Sequence, residues 1–165
     1  TLRAFEKAVE LGYRRPGLVL DATIDQLVEG RFTAGYQIGQ NSLPSRNRLK
    51  PFHQVVAAQK NSNLFRKWLD QEKPDVLFTL YNSVRTWLED FGYSVPQDIG
   101  LIQLEHRKDR PEWAGINQHN DLCGEAAVDM LISMIHGGES GVPPFPRATL
   151  IGGTWIDGAT VRGRK

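Results

Sequence analysis

The sequence lacks the patterns that mark several common classes of protein. Its 165 residues include one cysteine, Cys123, which excludes an internal disulfide and indicates a reducing compartment. No apolar run approaches the roughly 18 residues of a membrane span. The first residues, TLRAFEKAVELGY, show no signal-peptide pattern. The predicted location is the cytoplasm, with no membrane partner.

An excess of one charge is also missing. The formal net charge is +1, whereas a domain that neutralises nucleic-acid phosphates is usually distinctly basic. Short basic clusters at 46–50, 107–110 and 162–165 are interpreted as solvated loops. A hydrophobic content of 40% and a charged content of 24% are typical of one ordinary globular domain.

Signatures of cofactors, metals and catalysis are absent too. The sequence contains no GxGxxG and no GxxxxGK[ST], and HGGES at 136–140 has no companion GxSxG elbow. The four histidines fall on different predicted elements, and no cysteine pair exists. No nucleophile has a base beside it in any recognisable pattern. The sequence therefore predicts no cofactor, no metal site, no catalytic residue and no enzymatic activity.

What is present is an alternation of short apolar runs with amphipathic segments. The predicted strands are 17–22, 52–58, 75–80, 99–105 and 148–156. The predicted helices are 2–11, 23–40 (opened by a Thr23–Gln26 capping box), one that Ser62 caps, 83–92 and 121–136 (capped by Asn120 or Asp121). Residues 107–115 are predicted to be a loop. Such alternation predicts an α/β protein: an open, doubly wound, mostly parallel sheet with helices on both faces.

Polar and aromatic side chains follow the predicted strands. The stretch SVPQDIGLIQLE ends a buried strand on a carboxylate, Glu105, and ligands of open α/β sheets bind at the carboxyl ends of strands. Carboxylates and amides bind hydroxyl groups, and an aromatic ring covers the apolar face of a sugar. Each of these residues is also a common cap or turn residue. The residues in question are Asp21, Thr23, Tyr81, Asn82, Glu105, Gln118 and Asn120.

Several segments resemble the lactose-repressor/galactose-repressor (LacI/GalR) family of bacterial transcription regulators. They are, in order, GYRRPGLVLDA, GRFTAGYQIG, PDVLFTLYN, FGYSVPQDIGLIQLE, AGINQHNDLCGEAAVDMLISMI and TLIGGTW. The match covers nearly the whole chain, and VPQDIG followed by GINQ is its most specific part. The resemblance implies a lobe of the periplasmic-binding-protein-like type I fold.

The resemblance also implies site residues. Glu105 stands where the family's strand-ending acid contacts the effector, Gln118 where a residue before a helix lines the same cleft, and Asn82 near the family's Asn-Asp pair. Arg31 and Phe32 lie where the family carries an effector-clamping arginine, shifted here by one residue. Tyr81–Asn82 replaces Asn-Asp, and Glu105 replaces an aspartate.

The resemblance further implies a division of the chain. Residues 1–119 and 148–156 form the C-terminal lobe of an effector-binding domain, 120–137 holds a helix that crosses to the N-terminal lobe, and 157–165 is a tail. The family's DNA-binding domain, hinge and most of its N-terminal lobe have no counterpart here, so DNA is an expected partner only through a domain outside these residues.

A homodimer is also implied, because the family pairs its C-terminal lobes through the helix at 83–92 and the following loop. The expected interface residues are Trp87, Phe91 and Trp113, although Trp87 could instead complete the chain's own core. The apolar stripe of helix 121–136 predicts a cover: another lobe, the chain's own sheet, or the same helix of a second copy.

The leading prediction is thus the effector-sensing and dimerisation region of a regulator, with a sugar or similar small molecule as effector. A periplasmic sugar-binding protein of a transporter shares the fold and remains one alternative. A small α/β enzyme is the other.

Overall fold

Four parallel strands and one antiparallel strand form the central sheet. In a computed structural model, residues 1–142, 145 and 147–163 are described. The strands are β1 (Pro16–Val19), β2 (Val76–Thr79), β3 (Gly100–Gln103), β4 (Ala114–Asn117) and β5 (Thr154–Ile156). They lie side by side in that order, and only β5 runs antiparallel to its neighbour. The predicted mostly parallel α/β sheet is confirmed.

The chain winds in both directions from β1. After β1 it returns at Phe52, which makes one parallel bridge to Val19 on the free edge of β1. The Phe52 N–H donates to the Leu18 carbonyl at 2.8 Å, and the Leu20 N–H donates to the Phe52 carbonyl at 3.0 Å. The chain then crosses back to β2 on the other side. This reversal next to β1 is the switch point at which open α/β sheets bind ligands.

Helices cover both faces of the sheet. They are α1 (Leu2–Glu10), α2 (Ala22–Leu27), α3 (Arg31–Asn41), α4 (Val55–Lys60), α5 (Asn63–Glu72), α6 (Ser83–Asp90) and α7 (Asn120–His136). Side chains alternate between faces along each strand: Phe78 packs with α1 and α3, and Leu77 packs with α4, α5 and α6. Two separate apolar clusters result, one on each face.

The predicted strand at 52–58 is wrong except for the bridge at Phe52. Residues 55–60 form α4, with Val55 and Ala58 buried one helical turn apart. Two adjacent valines favour extended backbone, but the Val56 N–H donates to the Asp21 carboxylate at 3.0 Å, which holds the first turn of the helix. A contact across the sheet edge thus overrides the local preference.

The predicted helix at 23–40 is two helices. It breaks at Glu29 and Gly30, whose φ angles of 56° and 73° are left-handed. Asp25 then accepts hydrogen bonds from the N–H groups of Phe32 and Thr33 and holds the start of α3. The predicted Thr23–Gln26 capping box is also wrong, because the N-cap of α2 is Asp21. Ser62 is the N-cap residue of α5, as predicted, but its side chain makes no capping hydrogen bond.

The predicted loop at 107–115 hides the start of β4. Only four residues long, β4 carries Gly115, where an added Cβ would lie 2.5 Å from the Gln103 carbonyl oxygen of β3. The strand β4 therefore depends on the close approach of its backbone to that of β3. Its few apolar residues were not enough to predict a strand. The predicted strand at 148–156 is confirmed only as β5, at Thr154–Ile156.

The last helix, α7, stands apart from the two apolar clusters. It begins at Asn120, which is its first residue and not its cap, and none of its residues is buried. Leu131 and Ile135 are 57% and 65% exposed. Of the predicted stripe, Leu122, Leu131 and Ile135 are exposed, whereas Ala126, Met130 and Met134 are half-buried, so only part of the stripe is covered among the described residues. No helix among the described residues has the length and apolar character needed to cross a membrane.

Some residues of two predicted segments lie outside the described residues. They are Pro143, Pro144 and Pro146 of the predicted loop, and Arg164 and Lys165 of the tail.

Candidate functional site

The register of the sheet brings the predicted site residues to one edge. Val19, Thr79 and Gln103 are direct neighbours across β1, β2 and β3. Asp21, Tyr81 and Glu105 each follow two residues later, at the carboxyl end of their strand. Neighbouring strands are about 4.8 Å apart, so these three positions fall within the length of a small sugar.

The Asp21 carboxylate already makes hydrogen bonds within the fold. Its side chain is 7% exposed, and it accepts the Thr23 N–H at 3.1 Å and the Val56 N–H at 3.0 Å. The hydrogen bond from Val56 holds the pKa of the Asp21 carboxyl below its usual value. Asp21 therefore anchors the starts of α2 and α4. Thr23 is exposed beside it.

Replacing Asp21 by alanine is expected to lower the free energy of unfolding by about 2–3 kcal/mol at pH 7, because a helix cap and a charge-assisted hydrogen bond are lost together. The lowered pKa fixes the sign of the pH dependence. The carboxylate's contribution is present above the unfolded pKa of about 3.9 and is lost as the pH falls through the folded value. Urea unfolding at pH 7 and at about pH 3 would measure both effects.

The exposed Asp70 on α5 provides the matched control, since its substitution by alanine removes the same charge. A difference between wild type and Asp21→Ala that is as large at acid pH as at neutral pH would contradict the assigned role.

Tyr81 and Asn82 follow β2. The Tyr81 N–H donates to the Thr79 hydroxyl at 3.0 Å, and burial raises the pKa of the Tyr81 hydroxyl, partly offset by a hydrogen bond from the Asp21 backbone. Asn82 is exposed, and its side-chain oxygen accepts from the Gln103 amide at 3.0 Å and from the Arg110 guanidinium. The end of β2 is therefore tied to β1 on one side and to β3 on the other.

Glu105 and Gln118 lie at the ends of β3 and β4. The Asn120 amide lies 3.3 Å from one Glu105 carboxylate oxygen, and the Arg107 guanidinium lies 3.5 Å from the other. The Gln118 amide donates to the Leu104 carbonyl at 2.9 Å, which fixes it beside Glu105. The two residues therefore occupy the same edge.

A cleft of about 440 Å³ opens at this edge. It is lined by Glu105, His106, Arg107, Lys108, Asn117, Asn120 and Asp121. A cleft of similar volume, about 460 Å³, lies between α5 and the start of β3, at the opposite edge of the sheet. Carboxylate, amide and cationic groups converge in the first of these clefts. No group of three or more metal-ligating side chains occurs in the described part of the chain.

Two predicted residues stay apart from this group. Arg31 pairs with Glu29 at 2.9 Å, and both side chains are largely exposed. Phe32 packs against the apolar cluster that contains Phe5 and Tyr36. Among the described residues, no hydrogen bond or ion pair joins Arg31 to Glu105 or to Asn82.

The expected interface aromatics are mostly covered by their own chain. Trp87 and Trp113 are 8% and 4% exposed, and the Trp87 ring lies 5.3 Å from that of Phe65. Phe91 is partly exposed, with the Arg66 guanidinium 5.4 Å from its ring centroid. Trp87 thus completes the core, which was the open alternative.

The sequence reasoning missed Gln103 and Arg110. Gln103 was included in an apolar strand, and Arg110 belongs to a basic cluster, RKDR, that was interpreted as a solvated loop. The position of the cluster could have identified Arg110, because the cluster closely follows Glu105 at the carboxyl edge of the sheet.

Together, the switch point, the helices on both faces and the polar edge define a lobe of the periplasmic-binding-protein-like type. No protein-family model matches the chain, and no curated protein matches it. Solved structures of regulators do. The dimeric Lac repressor with an 11-residue C-terminal deletion is 15% identical, with a TM-score of 0.74, over 100% of this chain and 61% of that one.

Two further structures agree. The transcription regulator CcpA of Lactococcus lactis is 13% identical, with a TM-score of 0.71, over 98% of this chain and 60% of that one. A periplasmic binding protein/LacI transcriptional regulator from Alkaliphilus metalliredigens QYMF, complexed with D-xylulofuranose, is 19% identical, with a TM-score of 0.71, over 98% of this chain and 62% of that one.

The fold prediction is confirmed by these likenesses, which at such low identity show the fold alone. The chain spans about three fifths of the length of the similar structures, at 60% to 62%. The proteins they represent are named as regulators and not as enzymes.

Proposed function

We propose that these residues are the C-terminal lobe of the effector-binding region of a LacI/GalR-type DNA-binding regulator. The observation that carries the proposal is the convergence of Glu105, Asn117 and Asn120 in one cleft at the carboxyl edge of the sheet, with Gln118 held beside it on the Leu104 carbonyl. Carboxylate and amide oxygens there suit a small hydroxyl-rich ligand. Tyr81, Asn82 and Thr23 extend the same edge toward β1, whereas Arg31 and Phe32 of α3 stay apart from it and are not included in the proposed site. A DNA-binding regulator acts in the cytoplasm.

The proposal explains the exposed helix α7. The similar structures contain further residues beyond those that the chain covers, and the apolar residues of α7 need a cover. Leaving a large apolar side chain in water costs on the order of 25 cal/mol for each Å². We propose that 120–137 crosses to a second lobe, with 1–119 and 148–156 forming this lobe and 157–165 its tail. Ligand binding between two lobes then shifts an equilibrium that a distant DNA-binding domain senses.

Homodimerisation through α6 and the loop that ends at Trp113 belongs to the same proposal. Because Trp87 and Trp113 are covered within the chain, the outer residues of α6 and the partly exposed Phe91 supply most of the proposed contact. The Lac repressor structure is described as dimeric, which supports this arrangement.

Glu105→Ala tests the ligand site. In the full-length protein it is expected to weaken the binding of a neutral pentose or hexose effector by about 1.5–3 kcal/mol, because a charge-assisted hydrogen bond is lost. Isothermal titration calorimetry measures the change. Glu112→Ala, an exposed acid in the same loop, is the matched control and should bind as the wild type does. An unchanged isotherm for Glu105→Ala would remove Glu105 from the site.

A periplasmic sugar-binding protein shares this fold, and the structure from Alkaliphilus metalliredigens carries both names. Operator binding by the full-length protein that responds to ligand would distinguish the regulator from this alternative.

A further inference from the structure

The orientation of the Asn82 amide is set by its neighbours. Its oxygen accepts from two donors, the Gln103 amide at 3.0 Å and the Arg110 guanidinium. An amide surrounded by donors on one side must turn its NH₂ group to the other. Among the described residues, no hydrogen bond uses that NH₂ group, and Asn82 is exposed. Asn82 therefore offers only N–H donors to a ligand.

Arg110 adds a positive charge to the same place. Its side chain is 31% exposed, and a guanidinium has five N–H donors and no acceptor. Its one carboxylate partner among the described residues is the adjacent Asp109, 4.0 Å away and 66% exposed. An exposed pair at that distance contributes little. Asp21, at the end of β1, already accepts hydrogen bonds from two backbone N–H groups.

The ends of β3 and β4 carry acceptors. Among the described residues Glu105 accepts two contacts, at 3.3 Å and 3.5 Å, which leaves most of its acceptor capacity free. Gln118 uses its NH₂ group on the Leu104 carbonyl, so its side-chain oxygen faces away as an acceptor. Arg107 and Lys108 line the cleft beside Glu105, and Arg110 with Asn82 adds donors at the end of β2, so cations accompany the acceptors along this edge.

We propose that the effector carries an anionic group, a carboxylate or a phosphate, in addition to its hydroxyls. Arg110 and Asn82 bind the anionic group, and Glu105 and Gln118 accept hydrogen bonds from the hydroxyls. The chemical class is a sugar acid or a sugar phosphate. This inference rests on the proposed function, since it specifies the ligand of the same site. Arg110 is the residue that sets the preference, because a guanidinium binds carboxylate and phosphate oxygens in a bidentate way.

The test compares neutral aldoses with their aldonic acids and their sugar phosphates, by isothermal titration calorimetry on the full-length protein. In the wild type, one of the two anionic series is expected to bind at least about tenfold more tightly than its neutral parent, as one charge-assisted hydrogen bond requires. The two series distinguish a carboxylate from a phosphate. Arg110→Gln should abolish the preference of the protein for the anionic ligand over its neutral parent.

Further variants separate charge from folding. Arg110→Lys keeps the charge without the planar fork and should retain part of the preference. Asn82→Asp should weaken the binding of the anionic ligand through charge repulsion. Lys67→Gln removes an exposed cation on α5, away from the edge, and should change nothing. Thermal unfolding of each variant checks that it folds.

The outcomes are distinct. If neutral sugars bind as tightly as anionic ones, or if Arg110→Gln and Asn82→Asp leave the preference intact, the inference is overturned and the proposed function stands. If no neutral or anionic sugar binds the wild type, the proposed function itself fails.

Discussion

Replacing Phe65 by alanine is expected to lower the free energy of unfolding by about 3–5 kcal/mol. Phe65 on α5 is fully buried. Its ring centroid lies 5.4 Å from that of Phe52, 5.8 Å from that of Trp68 and 5.3 Å from that of Trp87. Alanine would remove these contacts and leave a cavity that three aromatic neighbours cannot fill by small movements. Chemical denaturation monitored by tryptophan fluorescence would measure the loss.

Ile38→Ala is the control for the Phe65 variant. Ile38 is 58% exposed on α3, so its truncation should cost less than about 1 kcal/mol. Equal effects of the two substitutions would contradict the packing described for the α5 face of the sheet.

Replacing Trp87 by glutamate is expected to unfold the chain outright, with a loss of more than about 4 kcal/mol. Trp87 is 8% exposed and packs against Phe65, so glutamate would place an unpaired charge in an apolar cluster and remove a large ring. Circular dichroism should show loss of helix at 25 °C. A folded Trp87→Glu protein that merely fails to dimerise would mean that Trp87 lies in an interface and not in the core.

The dimer therefore needs a different variant. Thr86 is exposed on α6, one residue before Trp87, and Thr86→Arg adds a large charged group that a two-fold interface would meet twice. The full-length variant should fold and sediment as a monomer. A folded Thr86→Arg protein that remains dimeric would contradict dimerisation through α6.

Local pattern was sufficient for the elements whose burial repeats regularly along the chain. The runs that became β2 and β3 are buried on both faces, so continuous apolar sequence identified them. The stripes of α1, α5 and α6 identified those helices in the same way. The order of these elements was enough to predict an open α/β sheet. It also placed Glu105 and Gln118 at one edge, because parallel strands share their carboxyl end.

Elements that depend on distant partners were not predictable in this way. The helix α4 replaces a predicted strand because Asp21, 35 positions earlier, accepts the Val56 N–H. The strand β4 is too short and too poor in apolar residues to be identified alone, and it forms because β3 and β5 flank it. In both cases the deciding hydrogen bonds join residues that only the folded chain brings together.

The same division holds for the site. The sequence by itself determined the α/β class and the acid that ends β3. Only the tertiary structure showed that Asp21 caps a helix and that Trp87 belongs to the core. It also showed that Arg110 donates to Asn82, which lies 28 positions earlier in the chain. The physical reason is the distance along the chain over which the deciding interactions act. Hydrophobic periodicity is set by neighbours within one or two turns, whereas the availability of a polar group for a ligand depends on which distant donors and acceptors have already bound it.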